Sequence, residues 1–257
     1  MKYNIVKGED KGSIIFIHGN SSSSSVYNEV LKSKLITHTK IAIDLPGHGE
    51  SVNDYMDEED FSMNSYRAKL IKLVNEFDDN VLLVGNSLGG HIAIEIAPYI
   101  NKLKGILIFG TPPVKKPLNL DEAFVFLPEL NTFFTENPSE IDINAAAEMT
   151  VFYKRYTSNI IEDFKQTNPK VRKAIGIDVA ENGFLNEFKI FKELSIPKYI
   201  IAGTHDPSVN LNYLKQLVDK SSHSELIMFE NCGHYASLEK PIEFNKTLER
   251  ITKEVFK

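Results

Sequence analysis

Strand-like and helix-like segments alternate along most of this chain of 257 residues. The strand-like segments are short runs rich in Val, Ile, Leu and Phe. We place them at 3–7, 13–18, 40–44, 81–86, 104–110, 197–203 and 225–230. The stretches with helical spacing predict helices at 24–34, 62–77, 88–98, 208–220 and 235–255. This alternation predicts an α/β fold with a mostly parallel, doubly wound sheet and helices on both faces.

The alternation breaks once, after the predicted strand 104–110. The following stretch has no buried-strand pattern, and parts such as 143–156 and 169–180 have helical spacing. A structureless loop of this length would be unusual in a compact domain. We therefore predict a helical cap at 112–195, inserted into a core of 1–111 and 196–257. The cap should lie over the carboxyl edge of the sheet, where open α/β sheets bind ligands.

The predicted cap is strongly aromatic, with eleven Phe and Tyr residues between positions 124 and 191. At helical spacing such residues pack mainly into the core of the cap. Those that face the cleft would give it an apolar wall, and the cap has no basic cluster that favours a phosphate or a polyanion. We therefore expect a closed pocket for a small, largely apolar molecule.

A serine between glycines stands where a predicted strand passes into a predicted helix. The sequence Gly-Asn-Ser-Leu-Gly-Gly occupies 85–90, directly after the aliphatic run 81–84. So tight a turn needs small neighbours, because Ser87 must take a strained conformation that holds its hydroxyl clear of the sheet. The first helical N–H groups, beginning with that of Leu88, would point at whatever Ser87 attacks. The pattern is typical of a nucleophile elbow, and the alternative is a glycine-rich turn with a solvated serine.

Two further residues are candidates for the partners that a nucleophilic serine requires. Asp206 follows the predicted strand 197–203, and His234 follows the predicted strand 225–230 in a polar loop. A histidine can take the serine proton, and a carboxylate can orient the histidine. Taken singly, a loop histidine is more often a solvated surface group, and many aspartates only cap turns. The chain order of Ser87, Asp206 and His234 is nevertheless the order expected of an α/β-hydrolase.

The loop after the predicted strand 13–18 offers hydrogen-bond donors for a developing oxyanion. His18 and Gly19 begin this loop, and the backbone N–H groups after them would complement the first N–H of the helix that follows the elbow. We favour Asn20 as the second donor, with Ser21 as the alternative. The run of five serines that begins at Ser21 predicts a flexible polar loop beside this position.

The chain resembles the α/β-hydrolase superfamily nearly from end to end. Besides the segments above, Asp-Leu-Pro-Gly-His-Gly-Glu-Ser at 44–51 is similar to the Asp-Leu-Pro-Gly-His-Gly-x-Ser turn common in this superfamily. The resemblance implies that Ser87 is the nucleophile, Asp206 the acid and His234 the base. It implies acyl transfer in two steps, a reaction that needs no metal and no organic cofactor.

Departures from two better-defined subfamilies favour a generic carboxylic-ester hydrolase. With Asn86 before the serine, the elbow is similar to that of carbon–carbon bond hydrolases. In those enzymes, however, Gly-Pro-Gly comes after His-Gly, where this chain has Asn20 and five serines. With Asn20 after His-Gly, the chain is similar to haloalkane dehalogenases at this position. Those enzymes, however, use an aspartate nucleophile and a halide site that relies on tryptophan, whereas this chain has Ser87 and no tryptophan. The elbow leaves open a thioesterase, lactonase, amidase, acyltransferase, perhydrolase or carbon–carbon bond hydrolase, and also a receptor with little turnover.

Composition and charge limit the binding partners and the cellular compartment that we expect for this protein. A net charge of −6 without a basic stripe argues against nucleic acid. No apolar run approaches the roughly 20 residues of a membrane span, and the first ten residues contain no signal-like stretch. The single cysteine, Cys232, excludes an internal disulfide. We therefore expect a cytoplasmic enzyme with a small-molecule substrate, and the sequence leaves a monomer or a homodimer open.

Overall fold

The computed structural model describes residues 1–55 and 57–257 and is built on one mostly parallel sheet. Its strands are β1 Tyr3–Val6, β2 Asp10–Ile17, β3 His38–Ile43, β4 Val81–Asn86, β5 Leu103–Phe109, β6 Lys198–Gly203 and β7 Ser224–Phe229. Within these described residues the seven strands have the order β1-β3-β2-β4-β5-β6-β7. β1 pairs antiparallel with β3, and the other pairings are parallel. The predicted α/β fold class is confirmed.

The helices connect these strands and cover both faces of the sheet. The α-helices are α1 Asn28–Lys32, α2 Met63–Glu76, α3 Leu88–Ile96, α4 Leu120–Ala123, α5 Glu140–Thr150, α6 Thr157–Gln166, α7 Pro169–Ala180, α8 Glu187–Glu193, α9 Leu211–Asp219, α10 Ala236–Glu239 and α11 Pro241–Val255. Short 3₁₀ turns occur at Ser24–Tyr27, Gly49–Ser51, Glu58–Phe61, Ala97–Tyr99, Pro128–Phe134 and Lys154–Tyr156.

Two predicted helices are divided in the structure. The segment predicted as 235–255 forms α10 and α11, which meet at Lys240. Pro241 explains the division, because it has no backbone N–H and disfavours a helical conformation in the residue before it. The segment predicted as 24–34 begins as a 3₁₀ turn and continues as α1.

The core has two layers, one on each face of the sheet. Along β2, Ile15 and Ile17 join the layer that contains α2 and α3, whereas Ile14 and Phe16 join the layer that contains α1 and α11. Successive side chains of a strand point to opposite faces, so both faces of β2 are buried from Gly12 to Ile17. This is why the parallel strands are continuous apolar runs in the sequence.

The helices α4 to α8 lie in residues 112–195, a stretch between β5 and β6 that we call the helical segment. Backbone hydrogen bonds join it to loops that follow strands, and two of them show its position. The N–H of Asn168 donates to the carbonyl of Gly47 at 2.9 Å, and the N–H of His234 donates to the carbonyl of Thr150 at 2.8 Å. These loops follow β3 and β7, so the helical segment lies over the carboxyl edge of the sheet.

Candidate active site

Ser87 lies between β4 and α3 in a strained backbone conformation. Its φ is 51° and its ψ is −121°, a region that costs a non-glycine residue about 1–3 kcal/mol. The glycines around it are sterically required. A Cβ on Gly85 would lie 2.5 Å from Cα of Gly90, and one on Gly89 would lie 2.1 Å from the carbonyl oxygen of Ile17. The structure thus has Ser87 on the tight strand-to-helix turn that the sequence predicts.

Neighbouring residues on and after β5 hold this turn in place. The N–H of Ser87 donates to the carbonyl of Phe109 at 2.9 Å, and the hydroxyl of Thr111 donates to the carbonyl of Ser87, also at 2.9 Å. Thr111 also lies against the next turn, because a Cβ on Gly90 would be 2.1 Å from its Oγ1. The strained conformation is therefore determined from both sides of the turn.

His234 and Asp206 are brought together as predicted, and Ser208 joins them. Nδ1 of His234 lies 2.9 Å from Oδ2 of Asp206. Both the backbone N–H and the hydroxyl of Ser208 donate to Oδ1 of Asp206, at 2.9 and 2.7 Å, and Oγ of Ser208 lies 3.2 Å from Nδ1 of His234. Sequence reasoning missed Ser208. The available signal was the turn-forming Asp-Pro-Ser sequence, in which an aspartate bonds the N–H two residues further on.

Opposing effects act on the two ionisable groups of this pair. Burial disfavours a charge on His234, but the charge of Asp206 and the hydrogen bond to it outweigh burial and raise the pKa of His234 above its usual 6.5. Burial would raise the pKa of Asp206, but the charge of His234 and the hydrogen bonds from His234 and Ser208 lower it below its usual 3.8. Asp206 is therefore ionised at neutral pH and can stabilise a positive charge on His234.

Asn86, the residue before Ser87, connects the elbow to the histidine loop. Its side-chain amide donates to the carbonyl of His234 at 3.1 Å and to the carbonyl of Phe109 at 3.2 Å. The imidazole also packs closely on Gly110, where an added Cβ would lie 2.7 Å from Cε1 of His234. The position of His234 thus depends on residues at the carboxyl ends of β4 and β5, a role for Asn86 that sequence reasoning missed.

The two predicted oxyanion donors lie beside Ser87. A Cβ on Gly19 would be only 3.1 Å from Cβ of Ser87, which brings the start of the Asn20 loop against the elbow. The side-chain amide of Asn20 donates to the carbonyl of Phe133 at 2.6 Å, and its backbone N–H has no partner among the described residues. Leu88 is the first residue of α3, so its N–H has no acceptor within the helix.

The N–H of Ser21, the alternative donor, is already engaged. It donates to Nε2 of His48 at 3.2 Å, while Nδ1 of His48 lies 3.0 Å from the carbonyl oxygen of Pro46. Burial lowers the pKa of His48 well below its usual 6.5, so the ring is neutral and accepts through Nε2. The geometry therefore favours Asn20 over Ser21. Nothing in the sequence pointed to this role of His48.

The serine run is buried and hydrogen-bonded, in contrast to the flexible polar loop that the sequence suggests. The hydroxyl of Ser23 donates to Oδ1 of Asp163 at 2.9 Å, and that of Ser25 donates to Oδ2 at 3.0 Å. The hydroxyl of Ser22 lies at the limit of hydrogen bonding, 3.5 Å from Oδ2. Asp163 lies on α6, so the helical segment holds the loop that begins at Asn20.

A cavity of about 350 Å³ opens onto Ser87 and His234. Its wall also includes Asn20 and Leu88. Most of the remaining wall is apolar and belongs to the helical segment, with Leu118, Leu120, Phe124, Leu127, Phe133 and Phe184 among its residues. The cavity therefore has the size and character of a site for a small, largely apolar molecule.

Comparison with known proteins agrees with this architecture. The model described as "Alpha/beta hydrolase family" matches residues 14–247. The chain belongs to the alpha/beta hydrolase family. A Mycoplasma pneumoniae protein named as a candidate esterase/lipase is 27% identical to this α/β hydrolase, and the match covers 94% of this chain and 91% of the relative. The 2-hydroxy-6-oxononadienedioate/2-hydroxy-6-oxononatrienedioate hydrolase 1 of Pseudomonas putida is also 27% identical, with 93% and 87% covered.

Solved structures include similar α/β hydrolases. A variant of the N-acyl homoserine lactonase AidH, complexed with N-hexanoyl homoserine lactone, matches with a TM-score of 0.88 and 25% identity. The match covers 98% of this chain and 93% of that one. With relatives named as esterase/lipase, hydrolase and lactonase, the protein is a hydrolase of the α/β type. No helix in the described part of the chain is long and apolar enough to cross a membrane.

Proposed function

We propose that this α/β hydrolase cleaves a small, largely apolar carboxylic ester through an acyl-enzyme on Ser87. The observation that carries the proposal is the meeting of two features at one apolar cavity: the strained Ser87, and His234 with its hydrogen-bonded Asp206. The apolar wall binds the hydrocarbon part of an ester, and Ser87 and His234 act on its carbonyl.

In the first step, Ser87 Oγ attacks the ester carbonyl while His234 Nε2 takes the hydroxyl proton. Asp206 accepts the Nδ1–H of the imidazole, which keeps Nε2 unprotonated before the attack and stabilises the imidazolium afterwards. The N–H groups of Leu88 and Asn20 donate to the oxyanion. The tetrahedral intermediate then breaks the bond to the alcohol oxygen, which leaves with the proton held by His234.

In the second step, water replaces the alcohol. His234 takes a proton from the water as the water oxygen attacks the acyl-enzyme carbonyl. The same two N–H groups hold the second oxyanion, and Ser87 leaves with the proton from His234. The products are the carboxylic acid and the free enzyme.

We further propose that residues 112–195 act as a cap on a core of 1–111 and 196–257. The helical segment supplies most of the apolar wall, and Asp163 bonds the loop that precedes α1. A cap in this position excludes water from the cavity and selects substrates by the shape of their apolar part.

A lactone is the second candidate substrate, because a cyclic ester undergoes the same acyl transfer. The similarity to an N-acyl homoserine lactonase structure that holds a lactone favours it, at a TM-score of 0.88 over 98% of this chain. A thioester, an amide, acyl transfer, perhydrolysis, carbon–carbon bond cleavage and a receptor role are the alternatives that the substrate test must separate.

The test is hydrolysis of short-chain p-nitrophenyl esters, combined with intact-mass detection of a fluorophosphonate adduct. The wild-type protein should turn over the esters and gain one adduct, and Ser87→Ala should lose both. Ser222→Ala is the matched control, because Ser222 is exposed and does not line the cavity, and it should behave as the wild type. Folded wild-type protein that shows neither turnover nor adduct would contradict the proposal.

A further inference from the structure

His91 brings a second polar group to the cavity. Its side chain is only 8% exposed, and Nδ1 lies 2.8 Å from Oε2 of Glu187 on α8. The same carboxylate oxygen accepts the N–H of Val114 at 3.0 Å. The ring borders the cavity, and its Nε2 has no hydrogen-bond partner in residues 1–55 and 57–257. His91 therefore has one nitrogen engaged with the protein and one available to a bound molecule.

The bond to Glu187 determines what the free nitrogen of His91 can do. A carboxylate accepts hydrogen bonds, so Nδ1 carries the proton and donates it to Glu187. Nε2 is then an acceptor in the neutral ring and a donor in the charged ring. A hydroxyl group can both donate and accept, so it complements Nε2 in either form.

Most of the other polar side chains of the cavity wall have their own partners or face solvent. Those of Asn20, Thr150 and Ser208 are each hydrogen-bonded to the protein. Outside the proposed catalytic residues, Asp121 and Asn131 are exposed at the rim, and the hydroxyl of buried Tyr235 has no hydrogen-bond partner among the described residues. Within the described wall, the available polar atoms of buried side chains are thus Nε2 of His91 and the hydroxyl of Tyr235, which is next to His234 in the sequence.

His91 is placed to meet the acyl part of a substrate. Its backbone N–H donates to the carbonyl of Ser87 at 3.1 Å, so the two residues are one turn apart, and both border the cavity. In the proposed mechanism the alcohol leaves beside His234, whereas the acyl part stays bonded to Ser87. The ring of His91 packs against Phe124 and Phe184, at ring-centroid distances of 5.9 and 5.3 Å.

We propose that Nε2 of His91 binds a hydroxyl group on the acyl chain, so that the enzyme prefers hydroxyacyl esters to unsubstituted ones. The proposal rests on the proposed acyl-enzyme at Ser87. The competing explanation is that His91 serves only as the partner of buried Glu187. The two differ in their prediction for a variant that keeps the bond to Glu187 and lacks Nε2.

His91→Asn is that variant, because the amide nitrogen of asparagine can replace Nδ1 as the donor to Glu187. We would measure kcat/KM for p-nitrophenyl hexanoate and for both enantiomers of p-nitrophenyl 3-hydroxyhexanoate. The ratio of hydroxylated to plain ester should fall by roughly threefold to tenfold in His91→Asn, the value of one hydrogen bond. Using the ratio cancels any general loss of activity. The ratio should stay at its wild-type value in Val179→Ala, which enlarges the same cavity without altering hydrogen bonding.

A ratio unchanged for both enantiomers in His91→Asn would overturn the hydroxyl site and leave the acyl-enzyme proposal intact. Absence of turnover and adduct in the wild type would instead contradict the acyl-enzyme. The hydroxyl site would then be judged by calorimetry with methyl 3-hydroxyhexanoate and methyl hexanoate, comparing Ser87→Ala with Ser87→Ala/His91→Asn. Preferential binding of the hydroxyester that the second variant loses supports the site, and equal preference in both overturns it.

Discussion

Replacing Asp206 with asparagine exchanges a hydrogen-bond acceptor for a donor beside His234. The structure determines how the new amide would sit. The backbone N–H of Ser208 points at Oδ1 of residue 206 from 2.9 Å and cannot turn away, so the amide oxygen must occupy that position. The NH₂ group then faces Nδ1 of His234. This orientation forces the proton of the neutral imidazole onto Nε2, where it prevents His234 from taking the proton of Ser87.

The size of the effect follows from the two interactions that asparagine cannot keep together. Turning the amide to restore the productive tautomer would leave the buried N–H of Ser208 facing a donor, which costs about 1–3 kcal/mol. The loss of the charged hydrogen bond that stabilises the imidazolium costs about 1.5–3 kcal/mol more. Together these give about 2.5–6 kcal/mol in the activation free energy, or roughly two to four decades in rate.

The assay is kcat/KM for p-nitrophenyl butyrate, with thermal unfolding to show that Asp206→Asn is folded. Asp121→Asn is the control, because it makes the same change of charge at the exposed rim of the cavity and should retain the wild-type rate within about twofold. Ser87→Ala and His234→Ala should each lose roughly three or more decades of kcat. A rate for Asp206→Asn within tenfold of the wild type would refute the reasoning and move the acid elsewhere.

Three other predictions concern pH, the hydrogen bonds between Asp163 and the serine run, and the cysteine. The acidic limb of the pH profile of kcat/KM should have its midpoint above pH 6.5, because the pKa of His234 is raised and only the neutral ring is a base. A midpoint below pH 6.5 would contradict the pairing of His234 with Asp206. Asp163→Ala should lower the free energy of unfolding in urea by about 1–3 kcal/mol, because the serine hydroxyls lose their acceptor. An unchanged free energy of unfolding in Asp163→Ala would show that these hydrogen bonds do not stabilise the protein. Cys232 should resist iodoacetamide in the folded protein, because burial raises the pKa of its thiol, and rapid native-state alkylation would refute this.

The strands could be predicted to within a few residues, because both faces of a parallel sheet are covered. The central strands are therefore largely apolar runs, and the turns that follow the strands contain Gly, Pro or Asp. Helix boundaries were less accurate where local chemistry competes with the apolar pattern. The division at Lys240 depends on Pro241, although the apolar residues keep helical spacing across it.

The residues of the candidate site were also only partly predictable from the sequence. Ser87, Asp206 and His234 were identifiable because each follows a predicted strand, and the carboxyl ends of parallel strands meet at one edge. Ser208 and Asn86 were missed, because their importance lies in contacts with His234 across 26 and 148 residues of sequence. The catalytic roles of the first three remain predictions that the rate measurements test.

The sequence alone set the order of strands and helices, the family resemblance and the residues that could form a catalytic triad, because apolar periodicity and turn chemistry are local properties. Only the tertiary structure decided that the N–H of Ser21 donates to His48, and that Asp163 accepts hydrogen bonds from the serine run, 140 residues away in the sequence. It also decided that His91 has an unbonded ring nitrogen at the cavity. Hydrogen-bond partners and burial depend on which distant segments pack together, and no local pattern of residues specifies them.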